Sequence, residues 1–158
     1  MRLLGVVLAG GRSSRFGSDK ARALLGGQQL IDHAHATIAP FVETVATDIA
    51  DYPAPDLGPL GGICGALRQA QAHGFDAVVV TACDIPALPA GLVAQLIEAM
   101  PAFAVEAPVI GCWPVDLADQ LAGFLTGDDR SMRAWARAGG ATGIASGPIR
   151  NINYQADL

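Results

Sequence analysis

The chain has 158 residues, of which 51% are hydrophobic and 16% are charged, and its formal net charge is −5. This composition is typical of one compact α/β domain and excludes a disordered chain, while the acidic balance argues against a broad surface for nucleic acid or an anionic membrane. The three cysteines, Cys64, Cys83 and Cys112, are far apart and lack C-x-x-C spacing, so we expect small buried hydrophobes rather than disulfides or a zinc site.

The chain opens with an apolar run from Leu3 to Leu8, which predicts a short strand buried on both faces. The run is short for the apolar region of a signal peptide and leads directly into a charged segment, so we expect no secretory signal. No apolar stretch in the sequence has the length of a membrane span. We therefore expect a cytoplasmic protein.

The segment from Leu8 to Lys20 is the most informative part of the sequence. It contains three glycines, two arginines and a lysine, in a connection that is long for a strand-to-helix loop. Glycines let several backbone N–H groups approach one anion, and arginine and lysine add full positive charge. The pattern is neither a Walker A motif nor a G-x-G-x-x-G motif. It favours a phosphate-binding loop over an ordinary surface connection.

The rest of the chain alternates between helical and strand patterns, with a polar, proline-containing connection over Asp48–Gly58. This alternation predicts a mostly parallel sheet covered by helices on both faces, in a single domain spanning residues 1–158. Helices are predicted at Gln29–Pro40, Leu60–His73, Pro86–Met100, Val115–Leu125 and Arg130–Ala138, strands at Phe41–Thr47 and Asp76–Ala82, short strands within Ala102–Gly111, and an extended tail over Thr142–Asn153.

Asp84 follows the predicted strand Asp76–Ala82 directly. Ligands of open α/β sheets bind outside the carboxyl ends of the strands, and Mg²⁺ takes one or two protein carboxylates together with substrate phosphates. Asp84 is also well placed to cap the helix that begins near Pro86. Beside a phosphate-binding loop on the same edge of the sheet, the metal role is favoured.

Two weaker patterns accompany these. Asp56, close to Gly58 and Gly62, offers a carboxylate to guanine nitrogens or a ribose hydroxyl, although Asp, Gly and Pro also simply form turns. In the tail, Asn151 and Asn153 are predicted to share one face while Ile152 points to the core. Paired surface asparagines are the simpler interpretation of that second pattern.

Together these segments resemble the molybdenum cofactor guanylyltransferases, a family within the MobA-like nucleotidyltransferases. The resemblance covers nearly the whole chain. It implies a Rossmann-like α/β three-layer sandwich of the nucleotide-diphospho-sugar-transferase type. The residues that carry it, in chain order, are Leu8-Ala9-Gly10-Gly11, Arg15, Gly17, Asp19-Lys20, Gly58-Pro59-Leu60-Gly61-Gly62, Cys83-Asp84-Ile85-Pro86 and Asn151-Ile152-Asn153.

The resemblance also implies an activity: GMP is transferred from MgGTP to molybdopterin, which gives molybdopterin guanine dinucleotide and pyrophosphate. Mg²⁺ is the implied cofactor, and transient contacts with other cofactor-biosynthesis proteins and apo-molybdoenzymes are expected. The implied roles are GTP binding by Leu8, Ala9, Gly10, Gly11, Gly17, Lys20, Asp56, Gly58, Gly62 and Asp84, catalysis by Arg15, Lys20 and Asp84, Mg²⁺ binding by Asp84, and contact with molybdopterin by Asn151 and Asn153.

Some positions depart from the family pattern. Trp113-Pro114 replaces a more usual His-Pro, and Asn153 begins an unusual tail sequence; both fall in the half implied to bind the acceptor. A related transferase that uses CTP or another acceptor therefore stays open, although Gly10 favours guanine because the cytidylyl relatives usually have Leu-Ala-Ala-Gly. A nucleotide-binding module without catalysis is the remaining alternative, and the presence of both Lys20 and Asp84 counts against it.

Overall fold

A computed structural model describes residues 1–8, 22–152 and 157–158 of the chain. Within these ranges, a six-stranded sheet has the strand order β4-β1-β5-β7-β6-β8, and a separate two-stranded hairpin pairs β2 with β3. Strand β1 is parallel to both β4 and β5, whereas β7 runs antiparallel to its neighbours. The strands are β1 (Leu3–Leu8), β2 (Leu24–Leu25), β3 (Gln28–Gln29), β4 (Thr44–Ala46), β5 (Ala77–Ala82), β6 (Ala102–Ala104), β7 (Ala107–Pro114) and β8 (Thr142–Ile144).

Helices cover the two faces of this sheet. One face packs against α1 and α3, and the other against α2, α4 and α5. The predicted mostly parallel α/β architecture is therefore confirmed. The helices are α1 (Leu30–Ile38), α2 (Gly58–Ala72), α3 (Leu92–Glu98), α4 (Ala118–Phe124) and α5 (Met132–Ala138).

The core is built from the strands that the sequence marked as apolar. Every residue of β5 is buried, and β1 is buried up to its last residue, as expected for central strands covered on both faces. On α1 the buried residues are Leu30, Ala34 and Ile38, which lie four apart on one helical face. These predictions are confirmed.

The three cysteines are buried, as predicted, and are thiols rather than disulfides. Burial raises the pKa of the Cys112 thiol to about 12, so this group stays protonated and behaves as a small apolar side chain at neutral pH. The longest described helix, α2, has 15 residues, and none in the described ranges combines the length and hydropathy needed to span a membrane.

Trp113 also belongs to the core. It is fully buried, its ring centroid lies 5.8 Å from that of Trp135, and it pairs with Val78 towards the amino end of β5. Asp84 follows the opposite, carboxyl end of the same strand. Trp113 is therefore a core residue towards the amino end of β5, and the effect of this departure on the acceptor stays a prediction.

Candidate functional site

The carboxyl ends of β1 and β5 meet at one edge of the sheet. Leu8 is in register with Ala82, the last residue of β5, and the Cys83 N–H donates to the Leu8 carbonyl oxygen at 3.1 Å. Because the pairing is parallel, the carboxyl end of β1 at Leu8 lies beside the turn that contains Asp84. Asp84 itself is partly buried in a turn directly after β5.

The C-terminal tail reaches the same edge. The Ile152 N–H donates to the carbonyl oxygen of Asp84 at 2.7 Å. The Ile152 side chain is fully buried and packs with Leu30 at the start of α1, whereas Asn151 is exposed. The predicted inward direction of Ile152 is therefore confirmed, and Asn151 is one residue from a direct backbone contact with Asp84.

Helix α2 adds a third component through its glycines. A methyl group placed on Gly62 would come within 2.9 Å of Leu8 Cδ2, so α2 passes close to the end of β1, and a larger residue at this position would require the Leu8 side chain to shift. Just before this point, Asp56 and Gly58 both have positive φ, at 63° and 70°, and both are exposed. The structure thus brings Gly62 to Leu8 and places Asp56 and Gly58 in a turn at the start of the same helix.

The helices that follow β1 and β4 lie on opposite faces of the sheet. The connection from β1 leads to α1 on one face, and that from β4 leads to α2 on the other. Neighbouring strands whose connections diverge in this way open a crevice at their carboxyl ends, where open α/β sheets bind ligands. Leu8 packs against the cores of both faces, so it lies at the carboxyl end of the sheet between the two helical layers.

Asp51 is a candidate that the sequence did not reveal. It lies in the connection from β4 to α2 and is partly buried. Its Oδ2 accepts a hydrogen bond from the Leu57 N–H at 3.4 Å, and its carboxylate lies against Gly61 and Gly62. No local motif marks this residue, because its position depends on the divergence of β1 and β4 and on the glycines of α2.

The remaining predicted site residues fall outside the described part of the chain. These are Ala9, Gly10, Gly11, Arg15, Gly17, Lys20 and Asn153. Among the described residues, no group of three or more His, Cys, Asp or Glu side chains could hold a metal ion. The Asp84 carboxylate nevertheless suits Mg²⁺ bound mainly by substrate phosphates, because that arrangement needs only one or two protein ligands.

Comparison with known proteins agrees with this geometry. Residues 5–142 match the MobA-like NTP transferase domain. The chain belongs to this family. The matched range contains the described edge residues Leu8, Asp51, Gly62 and Asp84, whereas Asn151 lies beyond it.

Among sequence relatives in this MobA-like family, a protein of Rhizobium leguminosarum bv. trifolii named molybdenum cofactor guanylyltransferase is 38% identical, with 81% of this chain and 71% of the relative covered. A protein of the same name from Cereibacter sphaeroides is 39% identical, with 89% and 84% covered. The crystal structure of molybdopterin-guanine dinucleotide biosynthesis protein A from Archaeoglobus fulgidus superposes with a TM-score of 0.70, at 20% identity, covering 98% of this chain and 94% of that one. This last similarity concerns the fold.

Proposed function

We propose that this chain is a molybdenum cofactor guanylyltransferase, which transfers GMP from MgGTP to molybdopterin and releases pyrophosphate. The main support for this proposal is that Leu8, Gly62, Asp84 and the tail lie together at one edge of the sheet. The chain is also 38–39% identical to proteins of that name. A nucleotidyl transfer needs a nucleotide, a metal and an acceptor side by side, and this edge has a candidate for each.

The nucleotide is assigned to the crevice between β1 and β4. Backbone groups from Leu8 to Gly11, with Gly17, bind base and phosphates, and Arg15 and Lys20 neutralise the triphosphate. On the opposite wall, Gly58 and Gly62 allow the nucleoside to approach α2, and Asp56 offers a hydrogen-bond acceptor. Asp51 offers the same chemistry, because a carboxylate accepts from the guanine N1–H and 2-amino groups or from ribose hydroxyls.

The chemistry requires alignment and charge neutralisation more than proton transfer. A phosphate oxygen of molybdopterin forms a bond to the α-phosphorus of GTP, and the bond from that phosphorus to the β-phosphate bridging oxygen breaks. The attacking phosphate is already ionised near neutral pH, so no strong general base is needed. Asp84 would hold Mg²⁺, which would supply positive charge against the charge that grows on the departing pyrophosphate, and Arg15 and Lys20 add to that neutralisation.

The acceptor is assigned to the side of Asp84 that faces the tail. Asn151 precedes the residue that is hydrogen bonded to Asp84, and Asn153 follows it. Their amides offer donors and acceptors to a polar heterocycle or a phosphate. We place the reaction in the cytoplasm, with transient transfer of the product to other cofactor-biosynthesis proteins or apo-molybdoenzymes.

Product analysis tests this proposal. Purified protein is incubated with GTP, Mg²⁺ and molybdopterin, and the products are identified by mass spectrometry, with EDTA in a parallel reaction. We expect molybdopterin guanine dinucleotide with Mg²⁺ and none with EDTA. Unchanged molybdopterin in both reactions would refute the assignment.

A further inference from the structure

Arg68 on α2 makes three contacts at some distance along the helix from the nucleotide crevice. Its guanidinium carbon lies 4.4 Å from the centroid of the Tyr52 ring, and its Nη2 donates to the Tyr52 hydroxyl oxygen at 3.0 Å. Its Nη1 forms an ion pair with Asp119 at 3.0 Å. The Arg68 guanidinium therefore contacts both the face of the Tyr52 ring and its hydroxyl group. The ion pair with Asp119 on α4 orients the guanidinium in turn.

Tyr52 directly follows Asp51, and both lie against α2. The Tyr52 N–H donates to the Gly61 carbonyl oxygen at 3.1 Å. One helical turn further along, Gly65 packs against the carbonyl oxygen of Ala50. The segment from Ala50 to Tyr52 is thus seated on a glycine face of α2.

A glycine face permits close approach but offers no side chain that could restrict sliding or rotation of the segment. The hydrogen bonds from the Tyr52 N–H to Gly61 and from the Leu57 N–H to Asp51 hold the segment in part, and the contact between Arg68 and Tyr52 adds a side-chain restraint beside this face. A guanidinium stacked on an aromatic ring restricts ring position, and its planar array of donors fixes direction as well. Because Tyr52 is covalently joined to Asp51, restraining Tyr52 also restricts where the backbone of Asp51 can lie, and therefore where its carboxylate side chain begins.

We propose that Arg68, acting through Tyr52, is a positioning residue that aims Asp51 at the bound nucleotide. This rests on the proposed function, which assigns the nucleotide to the crevice beside Asp51. Arg68 makes no substrate contact in this scheme. It selects the orientation in which the Asp51 carboxylate accepts hydrogen bonds from the nucleoside, so its loss weakens nucleotide binding.

A purely structural role is the competing explanation, and the chain contains a matched control for it. The guanidinium carbon of Arg2 also lies 4.4 Å from an aromatic centroid, that of Phe75, and its Nε also pairs with a carboxylate, that of Glu43 at 3.0 Å. Arg2 precedes β1, at the opposite end of that strand from Leu8. Both arginines stack on a ring and pair with a carboxylate, and Arg2 also donates to the His73 carbonyl oxygen. Of the two, Arg68 is the one that contacts the segment containing Asp51.

The experiment compares Arg68→Met, Arg68→Lys and Arg2→Met with the unaltered protein. For each we measure the melting temperature, the Kd for MgGTP by calorimetry, and KM and kcat in the complete reaction. We expect Arg68→Met to raise Kd and KM for GTP about tenfold with kcat changed less than about threefold. Arg68→Lys should recover part of the loss, and Arg2→Met should leave Kd and KM unchanged even if it lowers the melting temperature as much.

A double-mutant cycle identifies the route of the effect. If Arg68 acts through Asp51, Arg68→Met adds less than about twofold to Kd once Asp51→Asn is present. Additive effects, equal effects of Arg68→Met and Arg2→Met, or an unchanged Kd in Arg68→Met would each overturn the positioning role. Because Kd is measured without turnover, an unaltered protein that binds GTP but forms no product would refute the proposed function alone. Failure of that protein to bind GTP would refute both.

Discussion

The Ile152 N–H donates to the carbonyl oxygen of Asp84 at 2.7 Å, which joins the C-terminal tail to the carboxyl end of β5. The contact uses main-chain atoms of both residues. It brings together two segments that are far apart in sequence: the turn after β5 that contains Asp84, and the tail residue that follows the exposed Asn151. The buried Ile152 side chain, packed with Leu30, keeps the tail in this position.

The role of this contact can be tested by shortening Ile152. Ile152→Ala removes fully buried methyl and methylene groups and should lower the free energy of unfolding by about 2–5 kcal/mol, whereas Ile152→Val should cost about 0.5–1.5 kcal/mol. Loosening the tail should also raise the KM for molybdopterin more than that for GTP. Urea denaturation and steady-state kinetics measure the two effects, and an equal rise of both KM values would contradict the separate assignment of the tail to the acceptor.

Asp84→Asn should reduce the rate of Mg²⁺-dependent pyrophosphate release by roughly 100-fold or more, because the amide cannot replace the negative charge of a metal ligand. The backbone hydrogen bond from Ile152 is retained, so the melting temperature should stay close to that of the unaltered protein. Circular dichroism supplies the control for folding. Normal turnover by a folded Asp84→Asn protein would exclude Asp84 as the metal ligand.

Replacing a glycine by alanine should change the free energy of unfolding in opposite directions in α2 and α4. A Cβ at Gly65 would overlap the carbonyl oxygen of Ala50, so Gly65→Ala should destabilise the fold by about 1–3 kcal/mol or more. Gly123 is an exposed residue of α4 with no atom within 4 Å of an added Cβ. Gly123→Ala should therefore raise the free energy of unfolding by about 0.5–1 kcal/mol. Denaturant titration measures both variants, and an unchanged or raised stability of Gly65→Ala would contradict the packing described for α2.

Glu106 should make stability depend on acid pH. Hydrogen bonds from the Ser146 backbone, and then from the Gly147 backbone and the Ser146 hydroxyl, hold the pKa of this exposed carboxyl below its usual range. The ionised Glu106 carboxylate therefore adds to the free energy of unfolding above the unfolded pKa of about 4.3, and this stabilisation is lost as the pH falls through the lower folded pKa. Glu106→Gln should flatten the dependence of the free energy of unfolding on pH in this acid range. Glu98→Gln on α3 is the control. Equal curves for Glu106→Gln and the unaltered protein would contradict the assignment.

The central elements could be predicted from sequence because their patterns are long and regular. Strands β1 and β5 are continuous apolar runs, and α1 repeats its buried residues every fourth position. The predicted helix Pro86–Met100 was too long: only Leu92–Glu98 is helical, because Gly91 takes a left-handed conformation with φ of 81° just before it. The hairpin of β2 and β3 was missed, although its turn, Gly26-Gly27, is a known two-residue hairpin signal.

The placement of Leu8 and Asp84 at neighbouring strand ends was predictable, because each directly ends or follows an apolar run. The position of Asp51 could not be predicted in this way. It depends on two strands that are followed by helices on opposite faces, and on the glycines of α2, which let the connection after β4 lie close to that helix. The strand predicted at Phe41–Thr47 was likewise too long, since Ala39–Phe41 forms a short 3₁₀ turn and pairing covers only Thr44–Ala46. Such features depend on contacts between segments rather than on the pattern within one.

The most direct test of the whole account is pyrophosphate release from GTP, CTP and ATP, each with Mg²⁺ and each with and without molybdopterin. We expect pyrophosphate release from GTP that depends on molybdopterin, and far slower release from CTP and ATP. Equal release from CTP would contradict the assignment of guanine, and no release from any nucleotide in the presence of molybdopterin would contradict the assignment of nucleotidyl transfer.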